Sequence, residues 1–225
     1  MVPQHIAIIM DGNRRFAKKR GLLVKEGHNL GGEQLEKITN AAADLGVKTL
    51  TVYAFSTENW QRSAVEVKVL MHLIENYLKK KRKGMVEKGV RFATIGNLNG
   101  LSKNLQLEIV ETKNATKKGK RINLVVGLNY GARDEIVRAA KKMALEVEPE
   151  HFSEEIFSKH LDTHPWGDPD LLIRPGGEMR LSNFLLWQLS YAEIFVTERL
   201  WPEFGPDDLN KAVEAYGRRH RRKGE

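Results

Sequence analysis

Short apolar runs alternate along the chain with longer segments in which apolar residues recur at helical spacing. The runs cover residues 5–10, 49–55, 90–95, 122–128, 171–173 and 194–197. Several are apolar throughout, as strands covered by helices on both faces tend to be. The pattern predicts a six-stranded, largely parallel sheet.

Helical spacing is clearest after the second run. Apolar residues recur there every three or four positions: Val69, Leu70, Leu73, Ile74, Tyr77 and Leu78. Residues 30–45, residues 102–116 and the segment after Asp134 also read as helices. This alternation favours a single α/β domain over residues 1–225, with helices on both faces of the sheet.

Ligands of such sheets bind beyond the carboxyl ends of the strands, so the residues after each run are candidates. Asp11-Gly12-Asn13-Arg14-Arg15 follows the first run, and the polar stretch STENWQR follows the second. RPGGEMRLSN follows the fifth, with Arg174 and Arg180 on either side of a Gly-Gly bend. Arginine binds phosphate oxygens with two parallel hydrogen bonds, and glycine lets a ligand approach the backbone. These strand ends predict a phosphate or diphosphate site.

Two carboxylates, Asp11 and Glu193, accompany these arginines. A carboxylate repels phosphate unless a cation lies between them, and Mg²⁺ is commonly held by one or two carboxylates plus phosphate oxygens. The sequence therefore indicates a magnesium-diphosphate site. A plainer interpretation also exists: Asp11 caps the following helix, and Arg174 and Arg180 form ion pairs with nearby acids.

Several classes of site are absent from the sequence. The chain contains neither a Walker loop nor a GxGxxG motif, and no DDxxD pair of trans-type prenyl synthases. It has no cysteine, which excludes disulfides and thiolate metal sites. No apolar stretch reaches the ~20 residues that a membrane span requires, and no apolar signal sequence opens the chain.

The net charge of +8 suits an anionic partner. Much of the excess lies in residues 79–83, 113–121 and 218–223, which we interpret first as solvated helix ends. No aromatic residues are interleaved with these clusters, so a nucleic-acid-binding protein is a weaker alternative, and we expect no nucleic acid partner.

Five segments together resemble the cis-prenyltransferase family, in particular bacterial undecaprenyl diphosphate synthases. They are HIAIIMDGNRRFAKKRG, GHNLG, LTVYAFSTENWQR, LNYGARDEI and DLLIRPGGEMRLSNFLLWQLSYAEIFVTERLWPEF. The resemblance implies a Mg²⁺-dependent transferase that repeatedly condenses isopentenyl diphosphate onto an allylic diphosphate, farnesyl diphosphate being the expected primer. It also implies a homodimer.

The resemblance assigns a role to each matching position. The catalytic aspartate maps onto Asp11, and an assistant in proton removal maps onto Asn59. The allylic diphosphate loop maps onto Gly12, Asn13, Arg14, Arg15, Phe16 and His28, and the second substrate segment onto Ser56, Thr57, Glu58, Trp60 and Arg62. The isopentenyl diphosphate pocket maps onto Arg174, Arg180, Leu181 and Ser182, the metal carboxylates onto Asp11 and Glu193, and a positioning acid onto Glu66.

Three positions depart from the family pattern. Val24 stands where an arginine is frequent, Met179 where several members have a histidine near the metal, and Phe16 where tryptophan is common. Lys25 is the candidate substitute for the missing arginine, and Glu193 is expected to carry more of the metal binding.

The remaining expectations concern the product. The helix over residues 64–77 is expected to line an apolar product tunnel with Val69, Leu73 and their neighbours, unless these are ordinary core residues. A lipid carrier for cell-wall glycans would place the enzyme in the cytoplasm, in peripheral contact with the inner face of the membrane. A shorter-chain synthase and a catalytically silent partner subunit are the alternatives.

Overall fold

A six-stranded sheet, parallel throughout, lies at the centre of the structure, a computed structural model that describes residues 1–219. The strands are β1 (His5–Ile9), β2 (Thr49–Ser56), β3 (Val90–Ile95), β4 (Ile122–Tyr130), β5 (Leu171–Pro175) and β6 (Glu193–Thr197). Their order across the sheet is β3-β4-β2-β1-β5-β6. The predicted α/β architecture is confirmed.

Helices cover both faces of this sheet. They are α1 (Asn13–Lys19), α2 (Val24–Asp44), α3 (Ala64–Glu87), α4 (Lys103–Thr116), α5 (Ala132–Glu146), α6 (Glu154–Lys159) and α7 (Pro206–Arg218). In β1, Ile6 and Ile8 belong to the apolar core on one face, and Ala7 and Ile9 to the core on the other. Burial on both faces explains why residues 6–9 of this strand are all apolar.

The strand order reverses direction between β1 and β5. The chain leaves β1 for β2 on one side, and it leaves β5 for β6 on the other side. Ile8 pairs with Ile173, so the segments after the two strands begin side by side at the carboxyl edge. A crevice at such a switch point is where ligands of open α/β sheets bind.

Helix α2 begins at Val24, earlier than the predicted residue 30. Glycines at 27, 31 and 32 weaken the helical signal of this segment. The structure shows why two of them are needed: a Cβ on Gly27 would overlap the carbonyl oxygen of Asn13, and one on Gly31 would overlap the Asn13 side chain. Helices α1 and α2 thus approach closely enough to exclude any side chain there.

The basic cluster over residues 79–83 lies inside α3, which continues ten residues beyond the predicted end at residue 77. Most of its cations are paired with acids: Lys79 with Glu75 and Glu108, Lys81 with Glu36, Arg82 with Glu108 and Glu111, and Lys83 with Glu87. In the second cluster, Arg121 pairs with Asp44. The third cluster extends to residue 223, and its residues 220–223 lie outside the described part of the chain.

Candidate active site

A cavity of about 1580 Å³ opens at the carboxyl edge of β1, β2 and β5 and extends between α2, α3 and the sheet. Its outer part is lined by polar and charged side chains, among them Asp11, Arg14, Arg15, His28, Asn59, Arg62 and Arg174. Apolar side chains line much of the rest, namely Leu35, Phe55, Leu70, Leu73, Ile74, Tyr77, Phe92, Val126 and Leu128, and Asn76, Lys80 and Lys81 of α3 also belong to the lining. One cavity therefore joins a charged rim to an apolar interior.

Asp11 lies at the centre of the charged rim. Its Oδ2 accepts a hydrogen bond from Nη2 of Arg174 at 3.0 Å, and its Oδ1 lies 3.1 Å from Nη2 of Arg15. Burial raises the pKa of Asp11, but the hydrogen bonds from Arg174 and Arg15 outweigh it and hold the pKa below its usual value. Asp11 is therefore an anion at neutral pH.

The interpretation of Asp11 as a helix cap is wrong. Helix α1 begins after Gly12, which takes the cap position in a left-handed conformation at φ 110° and supplies no side-chain bond. A Cβ at Gly12 would come within 2.9 Å of Leu200. Glycine is needed at this position because L-residues rarely adopt that conformation and because no side chain fits.

Arg174 is the most deeply buried cation of the rim, with 4% of its side chain exposed. Besides Asp11, its guanidinium donates to Oγ of Ser182 at 3.0 Å and to the carbonyl oxygen of Arg180. Arg174 is the fourth residue of β5, which extends to Pro175 rather than ending at residue 173. A strand position fixes the direction of this side chain more firmly than a loop would.

Arg174 and Arg180, which flank the Gly-Gly bend, do not point to the same site. The side chain of Arg180 is 61% exposed, lies outside the cavity lining and pairs with Glu178. Its backbone carbonyl, rather than its guanidinium, contacts Arg174. The turn through Ser182 (φ 50°) and Asn183 (φ 60°) carries the chain back to the cavity after Arg180 has pointed outward.

The side chain of Arg15, on α1, reaches the loop that follows β5. Its Nη1 donates to the carbonyl oxygen of Gly176 at 2.7 Å. Gly176 has φ 95°, and a Cβ at this residue would overlap the Arg15 guanidinium. The Gly-Gly bend therefore makes room for Arg15.

His28, on α2, faces the same rim. Burial is the main cause that lowers its pKa to about 4, and the nearby cation Arg62 lowers it further. The ring is therefore neutral at pH 7. Among residues 1–219, its buried Nε2 has no hydrogen-bond partner, which leaves one ring nitrogen available to a ligand.

The segment after β2 forms a short 3₁₀ helix over Thr57–Gln61. Oδ1 of Asn59 accepts the backbone N–H of Ser56 at 3.1 Å, which holds the turn and leaves the Nδ2 amide to donate to a ligand. Arg62 pairs with Glu66 at 3.1 Å, and Arg14 reaches the same carboxylate at 3.7 Å. Glu66 thus fixes two rim arginines that come from different elements.

Twelve of the predicted site residues line the cavity. They are Asp11, Gly12, Asn13, Arg14, Arg15, His28, Ser56, Glu58, Asn59, Arg62, Arg174 and Ser182. Phe16, Thr57, Trp60, Arg180 and Leu181 lie outside the lining, as does Val69, which is 37% exposed on α3. Trp60 donates to Oδ1 of Asn129 and packs edge-on against Phe55, so it braces the segment after β2.

Glu193 does not lie near Asp11 in this chain. It is the first residue of β6, pairs in register with Leu171 at the start of β5 and contacts Arg219. Asp11 lies two residues beyond the end of β1, so the two carboxylates lie at opposite edges of the sheet. Within this chain the structure does not support their joint binding of one metal ion.

Two residues at the carboxyl edge were missed by the sequence analysis. Asn183 lines the cavity, donates to Oε1 of Glu58 at 2.8 Å and accepts the backbone N–H groups of Ala132 and Arg133. Its left-handed φ is one that asparagine tolerates better than most residues, but a sequence does not reveal this. Glu198, which directly follows β6, lies next to Gly177, and the rule that located Asp11 applied equally to it.

The side chains of this rim suit a magnesium ion that binds together with a diphosphate. No group of three or more His, Asp or Glu side chains in residues 1–219 is arranged to enclose a metal ion. Asp11 offers a carboxylate in the cavity lining beside Arg15 and Arg174, which fits the way Mg²⁺ binds through one carboxylate and substrate phosphates. The donor set therefore fits a metal bound with a diphosphate.

Comparisons with known proteins show which family the chain resembles along nearly its whole length. Residues 9–224 match the model of the prenyltransferase family described as "Putative undecaprenyl diphosphate synthase". The chain is 48% identical to the isoprenyl transferase of Fusobacterium nucleatum, over 99% of this chain and 96% of that protein. It is also 48% identical to the isoprenyl transferase of Aquifex aeolicus, with the same coverage.

Two solved structures are similar over nearly their full lengths. Lavandulyl diphosphate synthase from Lavandula x intermedia, in complex with dimethylallyl diphosphate, has a TM-score of 0.97 at 39% identity, covering 100% of this chain and 99% of that one. A "probable undecaprenyl diphosphate synthase" from Campylobacter jejuni has a TM-score of 0.85 at 32% identity, covering 99% of both chains.

Proposed function

Since the chain belongs to the undecaprenyl diphosphate synthase family of prenyltransferases, we propose that it condenses isopentenyl diphosphate repeatedly onto an allylic diphosphate. The expected primer is farnesyl diphosphate, and the expected product is a long-chain cis-polyprenyl diphosphate such as undecaprenyl diphosphate. One observation carries the proposal: a single cavity has an arginine-rich rim for diphosphates and an apolar interior for an isoprenoid chain.

The rim provides the electrostatic part of the reaction. The bond between the allylic C1 and its oxygen breaks, and negative charge builds on the departing diphosphate. We assign the binding of that diphosphate to Arg14 and Arg15, which line the rim, with neutral His28 beside them. Preorganised donors of this kind are commonly the largest catalytic contribution.

Arg174, Ser182 and Asn183 lie across the rim from α1 and are proposed to bind isopentenyl diphosphate. Arg180 can join them only when its guanidinium leaves Glu178. The isopentenyl double bond attacks the allylic carbon, and a proton leaves the isopentenyl unit to form the cis alkene. Asn59 is an amide and a very poor base, so we assign it the orientation of a phosphate oxygen or water that accepts this proton.

Mg²⁺ is the proposed cofactor. It would be held by Asp11 and diphosphate oxygens, where it would help to neutralise the leaving group. Asp11 also fixes the Arg15 and Arg174 guanidinium groups. Glu193 is not proposed as a ligand within the same chain.

The apolar interior is the proposed product tunnel. Small-molecule sites usually measure about 300–1,000 Å³, and this cavity is larger, at about 1580 Å³. Leu73 and Tyr77 on α3 line it, whereas Val69 does not. Tyr77 packs against α2 at Gly32, where a Cβ would lie 3.3 Å from the ring.

We also propose a cytoplasmic homodimer that meets the inner face of the membrane. No helix in residues 1–219 has the length and apolar character needed to cross a membrane. Strand β6 lies at the edge of the sheet with Ile194 46% exposed, which suits pairing with a second copy. Light scattering on the purified chain gives the oligomeric state directly.

A shorter-chain synthase is the second candidate. The lavandulyl diphosphate synthase structure, bound to dimethylallyl diphosphate, shares this fold almost completely. The two candidates differ in the primer accepted and in the number of units added. A silent partner subunit is disfavoured because Asp11, Arg174 and Asn59 meet in one cavity.

The deciding experiment is incubation with labelled isopentenyl diphosphate and Mg²⁺, with either farnesyl or dimethylallyl diphosphate as primer, followed by product sizing. Multiple additions to farnesyl diphosphate support the proposed function, and a single addition supports the shorter-chain candidate. No incorporation with either primer would overturn both.

A further inference from the structure

The turn between α1 and α2 presents three consecutive apolar side chains to solvent. Leu22 is 36% exposed, Leu23 61% and Val24 41%. Single exposed leucines are ordinary on protein surfaces, but a contiguous apolar group marks an interaction site more often. We call Leu22, Leu23 and Val24 the apolar turn.

The apolar turn is held in its outward position by hydrogen bonds. The backbone N–H of Leu22 donates to the carbonyl of Ala17 at 2.9 Å, which ties it to α1. The backbone N–H of Leu23 donates to the Glu26 carboxylate at 2.7 Å, which ties it to the first turn of α2. The exposure of these side chains is therefore a property of a defined turn.

Cations surround the apolar turn. Lys18, Lys19, Arg20 and Lys25 flank it in the sequence, and Glu203 pairs with Lys19 and Arg20. Among residues 1–219, Lys18 and Lys25 make no ion pair. Apolar side chains beside cations match the surface of an anionic bilayer, where the hydrocarbon boundary lies below negatively charged headgroups.

The apolar turn is also part of the cavity mouth, because Lys18, Leu22 and Val24 contribute to the cavity lining. Arg14, on the same helix as Lys18, reaches Glu66 in the first turn of α3. Two of the three side chains of the apolar turn, Leu22 and Val24, thus border the cavity.

We propose that the apolar turn, with Lys18 and Lys25, docks this protein on anionic lipid, so that the cavity mouth faces the bilayer. The biological use of this contact rests on the proposed function, because a polyprenyl product needs a route into lipid. The contact is weak and reversible, since three aliphatic side chains and two unpaired lysines give far less membrane affinity than a transmembrane helix.

Sedimentation with lipid vesicles tests the proposal without any measurement of catalysis. The probe is vesicles of phosphatidylcholine with about a third phosphatidylglycerol, compared with pure phosphatidylcholine. The wild-type chain is expected to bind the anionic vesicles, less so at high salt. Leu23→Ser should lower the partition coefficient about tenfold, because one largely exposed leucine no longer enters the interface. Lys25→Gln should weaken binding to the anionic vesicles alone.

The chain offers a variant that preserves the helix and a control of equal exposure. Leu23 is the N-cap of α2, and serine is a preferred N-cap residue, so Leu23→Ser preserves the helix. Leu107 on α4 is 60% exposed, which matches Leu23, so Leu107→Ser is the control and should bind vesicles as the wild type does.

Three results would overturn the proposal: equal binding by the wild type and Leu23→Ser, an equal loss in Leu107→Ser, or no binding of the wild type to anionic vesicles. A change of oligomeric state in Leu23→Ser would instead assign the turn to a contact between copies, which also overturns it. Turnover of diphosphate substrates in lipid-free buffer is measured separately, so failure of the membrane contact and failure of the proposed function remain distinguishable.

Discussion

Arg174 donates a hydrogen bond of 3.0 Å to Asp11. The Arg174 side chain is buried, with 4% of its surface exposed, whereas 28% of the Asp11 side chain is exposed. The pair joins the end of β1 to the end of β5, the two strands between which the sheet changes direction. A ligand at the rim therefore meets a buried cation whose direction is already fixed by a carboxylate and by Ser182. Such preorganisation lowers the cost of reorganising the site during the reaction.

Asp11→Ala should reduce turnover far more than it weakens binding of the farnesyl primer. We expect kcat to fall about 10²–10³-fold, because the anion that fixes two arginines and the metal is lost, whereas the arginines still attract the diphosphate. Steady-state kinetics and primer binding are measured on the same variant. A comparable loss in both would show that Asp11 mainly binds the ground-state substrate.

Removal of Asp11 also leaves Arg174 buried without its carboxylate, which could cost up to about 3–5 kcal/mol of stability. Asp11→Asn keeps the shape of the side chain but removes its charge, so comparison with Asp11→Ala separates loss of packing from loss of the anion. Asp44→Asn is the control, because Asp44 pairs with Arg121 at an exposed site. Urea unfolding of all three variants shows whether loss of turnover follows loss of folding.

Leu73→Trp should shorten the products. Leu73 lines the apolar interior, so an indole there would occupy space needed by the growing chain. Val69→Trp is the matched control, because Val69 lies about one turn earlier on α3, outside the lining. Chromatography of the products should show shorter chains only for Leu73→Trp, and an unchanged length in that variant would contradict the assignment.

Protonation of His28 should destabilise the fold at acidic pH. Its pKa of about 4 in the folded chain lies below the ordinary value of 6.5, so the unfolded chain binds the proton more tightly. The stability is present above pH 6.5 and is lost as the pH falls toward 4. Between pH 7.5 and pH 5 the loss is on the order of 2 kcal/mol.

His28→Gln is the comparison for this effect. Because other groups, among them His5 with its similarly lowered pKa, titrate in both proteins, the difference between their unfolding curves isolates His28. The variant should lose less stability than the wild type between the two pH values. Parallel losses would show that His28 does not stay neutral in the folded chain.

Chelation of divalent metal should abolish turnover and leave the thermal stability of the ligand-free chain unchanged. The described residues hold no enclosed metal site, so the ion is expected only together with diphosphate. Activity assays with and without chelator, followed by Mg²⁺ addition, test the first part, and calorimetry tests the second. A lowered Tm on chelation would indicate a structural metal instead.

The sequence predicted the sheet and much of the rim because both follow from periodicity and from strand ends. Asp11 lies at the carboxyl edge for that reason, and Arg174 is nearby because β1 and β5 are neighbours. The same rule never applied to Glu193, which is the first residue of β6 and therefore lies at the opposite edge of the sheet.

Other parts of the site depend on backbone torsion and on spacing between helices, which residue patterns do not encode. The outward direction of Arg180 and the bridging role of Asn183 follow from left-handed residues at 182 and 183. The size of the cavity depends on the separation of α2 and α3. Val69 and Leu73 both fit the helical pattern, and the structure alone separates the exposed residue from the lining residue.

The close approach of α1 and α2 at Gly27 and Gly31 has a consequence for how this protein tolerates mutation. Neither glycine carries a side chain to meet a ligand, yet the backbone of Asn13 occupies the space beside Gly27. A side chain at either position would push α1 away from α2. Arg14 and Arg15, which are on α1, would then move away from their positions at the rim. In a scan of all substitutions, positions 27 and 31 should therefore accept no other residue, because any side chain there would collide with α1.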